Sequence, residues 1–289
     1  MFDSTLNNHC YIGLTQWQHS AWTHAFLRTP QNNHPLSHYA QHFSSVEGNT
    51  TFYGLPKEDS VMQWNELTDD EFRFCFKFPQ SITHQQQLTD CSKDTQNFFD
   101  RLLPLKEKIG LLCIQLPASF SANELDALAH YLDSLPKEFS YAVEVRHTDF
   151  FAKGSEEREL NQLLHQHQVN RISFDTRALF AHPAQDSVSL NAKQHKPRLP
   201  VHAITTGDKP MVRFITPMDW QWGIDYLLPW VAKTCQWLEQ GYSPYFFFHT
   251  PDNADAPLLA NYFANLIEEK APGKVLFSPF PTSAQENLF

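Results

Sequence analysis

Apolar and polar positions along this chain alternate in short runs: "CYIGLT" at 10–15, "SSVEGN" at 44–49, "FRFCFKF" at 72–78, "GLLCIQLP" at 110–117, "YAVEVRH" at 141–147, "NRISFDTR" at 170–177, "PMVRFI" at 210–215 and "PYFFFHT" at 244–250. Between them lie longer stretches with helical spacing, including "SKDTQNFFDRLLPLKEKI", "SANELDALAHYLDSL", "SEERELNQLLHQHQ" and "DYLLPWVAKTCQWLEQ". Several open on Ser or Asp, and one closes before Gly241. Strand then helix, repeated about eight times, predicts an α/β chain folded as a TIM-barrel-like (β/α)8 barrel. An open doubly wound sheet shares this alternation, but the chain has only nine glycines and no glycine-rich phosphate turn. A single domain is expected over 1–280, with a flexible tail at 281–289. The connection at 178–209 is long and proline-rich, and reads as a lid over a site in preference to a disordered segment.

Side chains alternate between the two faces of a strand, so each predicted strand has a helix-facing set and a barrel-facing set. The helix-facing set is apolar: Phe72, Phe74 and Phe76; Val143 and Val145; Ile172 and Phe174; Val212 and Phe214. Polarity collects in the other set, which holds Ser45, Glu47 and Asn49; Cys75 and Lys77; Cys113 and Gln115; Glu144 and Arg146; Ser173, Asp175 and Arg177; Arg213; and Phe247 and His249. Most of these fall late in their strands, at the C-terminal mouth where barrel enzymes place their sites. A buried ion-pair network that only fixes the barrel is the competing reading. It is weakened by the desolvation cost of so many charges, which hydrophobic substitutes would avoid.

Composition narrows the classes. The chain is 289 residues long with 42% hydrophobic content, enough for a substantial core. A formal net charge of −10 gives no global pull toward nucleic acid or anionic lipid, so nucleic acid is a possible but unfavoured partner. No apolar run is long enough for a membrane helix, and "MFDSTLNNHC" lacks a signal-peptide layout, so a cytoplasmic protein without membrane attachment is expected. The five cysteines carry no CxxC pair and read as buried free thiols.

The motifs "VEGNTTFYGLP", "FRFCFKFP" followed by "ITHQ", "VEVRHTDFF", "FDTRAL", "KPRLPVHA" and "FFFHTPDNADAP" resemble the YecE family, also called domain of unknown function 72, in family order and over nearly the whole chain. The resemblance implies a TIM-barrel-like fold and a soluble bacterial-type protein without an established biochemical role. Most members resemble "VEINSTFY" at the first motif, and Gly48 replaces the isoleucine here, as in the YecE-like branch. The matching positions are Glu47, Asn49, Phe52, Tyr53, Lys77, His84, Glu144, Arg146 and His147. Asp175, Arg177, His249, Asp252 and Asn253 lie in the branch-like "FDTR" and "HTPDN" segments.

The chemistry expected of this mouth is acid/base catalysis on a polar or phosphate-bearing small molecule. Glu144, Asp175 and Glu47 are the candidate catalytic carboxylates. Lys77, Arg146 and Arg213 are candidates for anionic groups, with Asn49, Tyr53, Arg177, His249, Asp252 and Asn253 as further binding positions. Asp252 and Asn253 fit a plain capping turn at least as well. A metal held by Glu47, Glu144, Asp175, His147 and His249 is a lesser alternative, since no HxH or HExxH spacing is present; no metal site is assigned and the cofactor is unknown. A second class is nucleotide or nucleic-acid binding without catalysis, with Trp17, Trp22, Phe52, Tyr53 and Trp220 stacking bases and Arg177, Lys193, Lys196 and Arg198 on phosphate.

Overall fold

A computed structural model describes residues 8–24 and 34–280; the expected tail at 281–289 lies outside the described residues. The eight strands expected from the pattern all form: β1 (Cys10–Leu14), β2 (Ser45–Gly48), β3 (Arg73–Lys77), β4 (Ile109–Gln115), β5 (Tyr141–Glu144), β6 (Asn170–Asp175), β7 (Met211–Ile215) and β8 (Tyr245–His249). They are parallel and pair in sequence order, and β1 pairs with both β2 and β8, which closes the barrel. A short ninth strand, β9 (Val275–Leu276), was not evident in the sequence; it pairs with the start of β1 at Cys10 and Tyr11, just below the point where β2 joins.

Two apolar layers follow from the alternation. The outer one joins strands to helices: Phe74 and Phe76 stack with Trp64 of α3 (Glu58–Glu66), and Phe246 and Phe248 meet Phe263 of α10 (Ala256–Lys270). The inner one fills the barrel with Cys75, Leu111, Cys113, Ala142, Ile172, Met211, Tyr245 and Phe247, and Tyr11 stacks on Tyr245 at 4.6 Å between ring centroids. This plug occupies the lower and middle barrel, so only the strand ends above it are left for polar groups. Burial raises the Cys75 thiol well above its ordinary value and pushes Cys113 up to about 12, so both remain protonated thiols in the plug.

The segment at 178–209 is largely built. It carries part of α7 (Arg177–Ala181) and all of α8 (Ser187–His195), capped by the Asp186 carboxylate on the Ser189 amide. Beyond α8 the chain runs extended, with the Pro197 carbonyl held by the Thr176 hydroxyl at 3.0 Å. This carries His195 and Lys196 over the strand ends.

Two glycines permit close approaches at the barrel wall. A Cβ at Gly48 would lie 2.6 Å from the Phe76 ring, so the wall there accommodates glycine and no larger residue without a shift of that ring. A Cβ at Gly13 would lie 2.1 Å from the Ser45 carbonyl oxygen, inside the β1–β2 pairing that closes the barrel. Gly13→Ala is therefore expected to force the seam apart and cost about 1–3 kcal/mol. A urea-unfolding midpoint equal to that of the wild type would refute this.

Candidate functional site

The carboxylate inside the second strand is paired. Glu47 points into the barrel at 1% exposure. Its Oε2 accepts from Nε of Arg213, on β7 across the barrel, at 2.7 Å, and its Oε1 lies 3.3 Å from Nζ of Lys77 on β3. Nη1 of Arg213 donates to Oε2 of Glu144 at the end of β5. Arg146 clamps the other Glu144 oxygen, with Nε and Nη2 each at 2.7 Å from Oε1. Gln115 at the end of β4 accepts from Lys77 at 2.9 Å. Four strands thus contribute one continuous chain of charge, Lys77–Glu47–Arg213–Glu144–Arg146. Arg213 is 1% exposed, and its remaining nitrogen, Nη2, is buried without a hydrogen-bond partner among the described residues.

Above this chain opens a cavity of about 540 Å³. Glu47, Lys77, Arg146, Arg213 and His249 line it from the strand ends, Asn49 and Phe174 from the wall, and Phe52, Tyr53 and His84 from one rim. Lys196 enters from the segment following α8. In and directly beneath the cavity there are four cationic side chains against two carboxylates, a local positive surplus in a chain of formal charge −10. A larger cleft of about 680 Å³ lies at the opposite end, near the starts of β5 and β6, but its charged side chains Lys137 and Asp208 are exposed and solvated.

The pairing decides the protonation states. Burial alone would raise the Glu47 carboxyl, but Arg213, Lys77 and His249, with the Arg213 hydrogen bond, outweigh it and hold the group at about 2. Burial lowers Lys77, and the Arg213 and Arg146 guanidiniums add to the effect against the pull of Glu47, leaving the ammonium at about 8. Burial, with Lys196 next in effect, drives His249 well below the ordinary histidine range, so its ring is neutral at physiological pH. Lys196 is lowered by burial and by Arg146, against an opposing effect of Glu47.

Several expected site residues lie elsewhere. On β6 the barrel-facing side chains are Ile172 and Phe174, the reverse of the alternation expected, so Asp175 points away from the mouth. Each outward polar group on β6 has a partner beyond the wall. Arg171 reaches Glu157 at 3.1 Å and the Phe150 carbonyl at 2.6 Å, Ser173 donates to the His202 carbonyl, and Asp175 accepts from the Trp230 indole at 2.8 Å. Arg177 closes on Asp175 with two hydrogen bonds and leaves the mouth with it. Asp252 accepts from the Thr250 hydroxyl and the Ala254 amide within its own turn, and Asn253 accepts the Trp22 indole on its carbonyl. Neither lines the cavity. His147 caps the short helix Thr148–Phe151 and meets Asp149. Among the described residues no three of His, Cys, Asp or Glu gather in a way that could hold a metal ion.

Of the aromatics considered for base stacking, Trp17 packs on Trp64, Trp22 is buried and Trp220 meets Tyr262; Phe52 and Tyr53 are at the mouth, Tyr53 at 77% exposure. Of the loop cations, Lys193 donates to the His182 carbonyl and Arg198 lies over Phe180, whereas Lys196 turns into the cavity. Gln115 was not assigned to the site from sequence, although its inward position at the end of β4 was the available signal.

Fold and site together define a TIM-barrel-like α/β protein with a charged cavity at the C-terminal ends of its strands. The chain belongs to the DUF72 family, described as "Protein of unknown function DUF72", which matches residues 11–285. It is 47% identical to the UPF0759 protein YecE of Escherichia coli K12 over 251 residues, 87% of this chain and 90% of that protein. The YecE protein of E. coli O157:H7 is 46% identical over the same shares. Crystal structures of DUF72 family proteins from Thermotoga maritima and Enterococcus faecalis superpose with TM-scores of 0.66 and 0.65, at 22% and 18% identity. Each covers 90% of this chain, and the matches span 100% and 95% of the respective structures. Their likeness is one of fold. Among the described residues no helix is long and apolar enough to cross a membrane.

Two outcomes follow from the charge chain. Arg213→Met leaves Glu47 and Glu144 buried without their shared guanidinium, and should cost about 3–5 kcal/mol, read by chemical denaturation; a loss below 1 kcal/mol, roughly the worth of an exposed pair, would contradict the buried network. Glu47 is held below its unfolded value. Its contribution is therefore fully present above the ordinary carboxylate range and drains away as pH falls toward 2. Glu47→Gln should flatten the acid side of the stability profile, and an unchanged slope there would count against the pairing.

Proposed function

We propose that this protein is an enzyme acting on a small molecule that carries a phosphate or carboxylate, bound at the C-terminal mouth of the barrel. The observation that carries this reading is the unpartnered Nη2 of Arg213, a buried guanidinium nitrogen beside a cavity with surplus positive charge. Leaving such a donor unsatisfied is costly, and an anion at that point would satisfy it with a charge-assisted hydrogen bond. Arg146 and Lys196 line the same cavity and can share the anion's remaining oxygens. A site of about 540 Å³ has the volume of a small-molecule pocket.

The carboxylate acid/base chemistry expected from the sequence changes form. Glu47, held at about 2, is a weak base, and both oxygens of Glu144 accept from arginines. These two residues fix and balance the cations, and Asp175 is outside the site. The lowered ammonium of Lys77 is the group able to exchange a proton near neutral pH, and the His249 ring beside it is a neutral hydrogen-bonding group. The five free cysteines support a reducing, cytoplasmic setting.

Exposed Tyr53 at the rim favours one variant, in which the phosphate-bearing molecule is a nucleotide whose base stacks there. Thermal-shift titration separates the classes. Inorganic phosphate, sulfate or a sugar phosphate at 100 times its dissociation constant should add about 2.7 kcal/mol of stability, and neutral sugars should add none. Lys196→Ala should leave the unliganded protein unchanged and weaken anion binding about 10-fold or more, the loss of one charge-assisted bond. Stabilisation by oligonucleotides alone, or equal anion binding by Lys196→Ala, would refute the assignment.

A further inference from the structure

Lys77 has the surroundings of a reactive amine. Its side chain climbs the barrel wall from the end of β3 and is 14% exposed, with Nζ opening into the cavity 5.8 Å from the Phe52 ring centroid. Two acceptors reach Nζ: Oε1 of Gln115 at 2.9 Å and Oε1 of Glu47 at 3.3 Å. An ammonium has three donors, so this pair fixes the head group and leaves one of its directions for the cavity.

A purely structural lysine would be needed here to balance Glu47, but Arg213 already does so at 2.7 Å with nearly complete burial. A second buried cation on the same carboxylate adds desolvation cost, and an apolar side chain would spare it. Burial and the cations Arg213 and Arg146 favour the neutral amine against Glu47, which leaves it at about 8. Near neutral pH such a lysine presents roughly 200- to 300-fold more free amine than an ordinary one.

We propose that Lys77 forms a Schiff base with the carbonyl carbon of a small oxo acid or phosphorylated aldehyde or ketone whose anionic group rests on Arg213, Arg146 and Lys196. This rests on the anion-site reading and adds the reacting group. Nζ forms a bond to the carbonyl carbon, and the carbon–oxygen double bond is replaced by a carbon–nitrogen one. The oxygen leaves as water with two of the hydrogens that the ammonium carried. The iminium keeps the third hydrogen and the positive charge, so no oxidant or reductant is consumed. The positive iminium takes the place of the ammonium beside Glu47 and Gln115, so the charge balance of the site is preserved through the step.

The test uses the full chain with glyoxylate, pyruvate or dihydroxyacetone phosphate, each with borohydride, which reduces an iminium to a stable secondary amine. Intact mass and peptide mapping then read the modified lysine. The expected result is a single adduct at Lys77 with at least one of the three, at about 10-fold or greater excess over every other lysine. Inorganic phosphate should suppress it, and Lys77→Arg should abolish it while retaining phosphate stabilisation in a thermal shift. Adducts spread evenly over surface lysines and unchanged in Lys77→Arg would overturn the proposal. So would a protein that phosphate stabilises but that none of the three carbonyl compounds modifies at Lys77. An adduct at Lys77 that phosphate neither blocks nor competes with would support the lysine and overturn the anion cradle.

Discussion

The bond between Arg213 and its two glutamates is the constraint on which the mouth of this barrel depends. A guanidinium buried to this degree is tolerated only when its donors are met, and Glu47 and Glu144 meet two of its three nitrogens from opposite sides of the barrel. Each glutamate is in turn held by another cation, Lys77 or Arg146. The strand ends are cross-braced by charge where a simpler barrel would place a further layer of aliphatic side chains. Cross-bracing at this cost, with one buried nitrogen left without a partner, is what the proposed anion site would require before its ligand arrives.

Preorganisation also redistributes chemical roles. Carboxylates suggest acids and bases when seen in a sequence, but a carboxylate wedged between guanidiniums is a fixed counter-charge. Burial, together with the Arg213 guanidinium that ties down Glu47, lowers Lys77 toward the free amine, so the acid is fixed as a counter-charge while the amine lies nearer neutrality. His249, driven well below the ordinary histidine range by burial and neighbouring cations, joins Glu47 and Lys77 among the mouth groups displaced from their ordinary values.

The barrel was legible in the sequence because its signal is repeated. Eight apolar runs, each bounded by helical spacing, leave few alternatives, and the inward positions of Glu47, Lys77, Glu144, Arg213 and His249 follow from counting by twos. β6 defeated that counting. In "NRISFDTR" the apolar pair faces the barrel, because Glu157, the Phe150 carbonyl and Trp230 offer partners to Arg171 and Asp175 on the outside. Alternation reveals two faces and leaves open which one is inside; the answer rested on residues distant in sequence. Lys196 was visible only as one cation among several in a long segment, since its entry into the cavity depends on the course of the chain after α8 and the hold of Thr176 on Pro197. β9 was too short to register as a strand at all.

That short strand has a consequence for how the molecule is made. β1 is the first strand of the barrel to be synthesised, yet its pairing partners include β8 and β9, the last of the barrel's strands, and the Cys10 amide donates to the Lys274 carbonyl at 2.8 Å. On a ribosome, β2 through β7 can emerge and begin to associate while one edge of β1 still lacks its neighbours. The barrel therefore cannot close until β8 and β9 have been released, and until then the growing sheet has an open edge on each side.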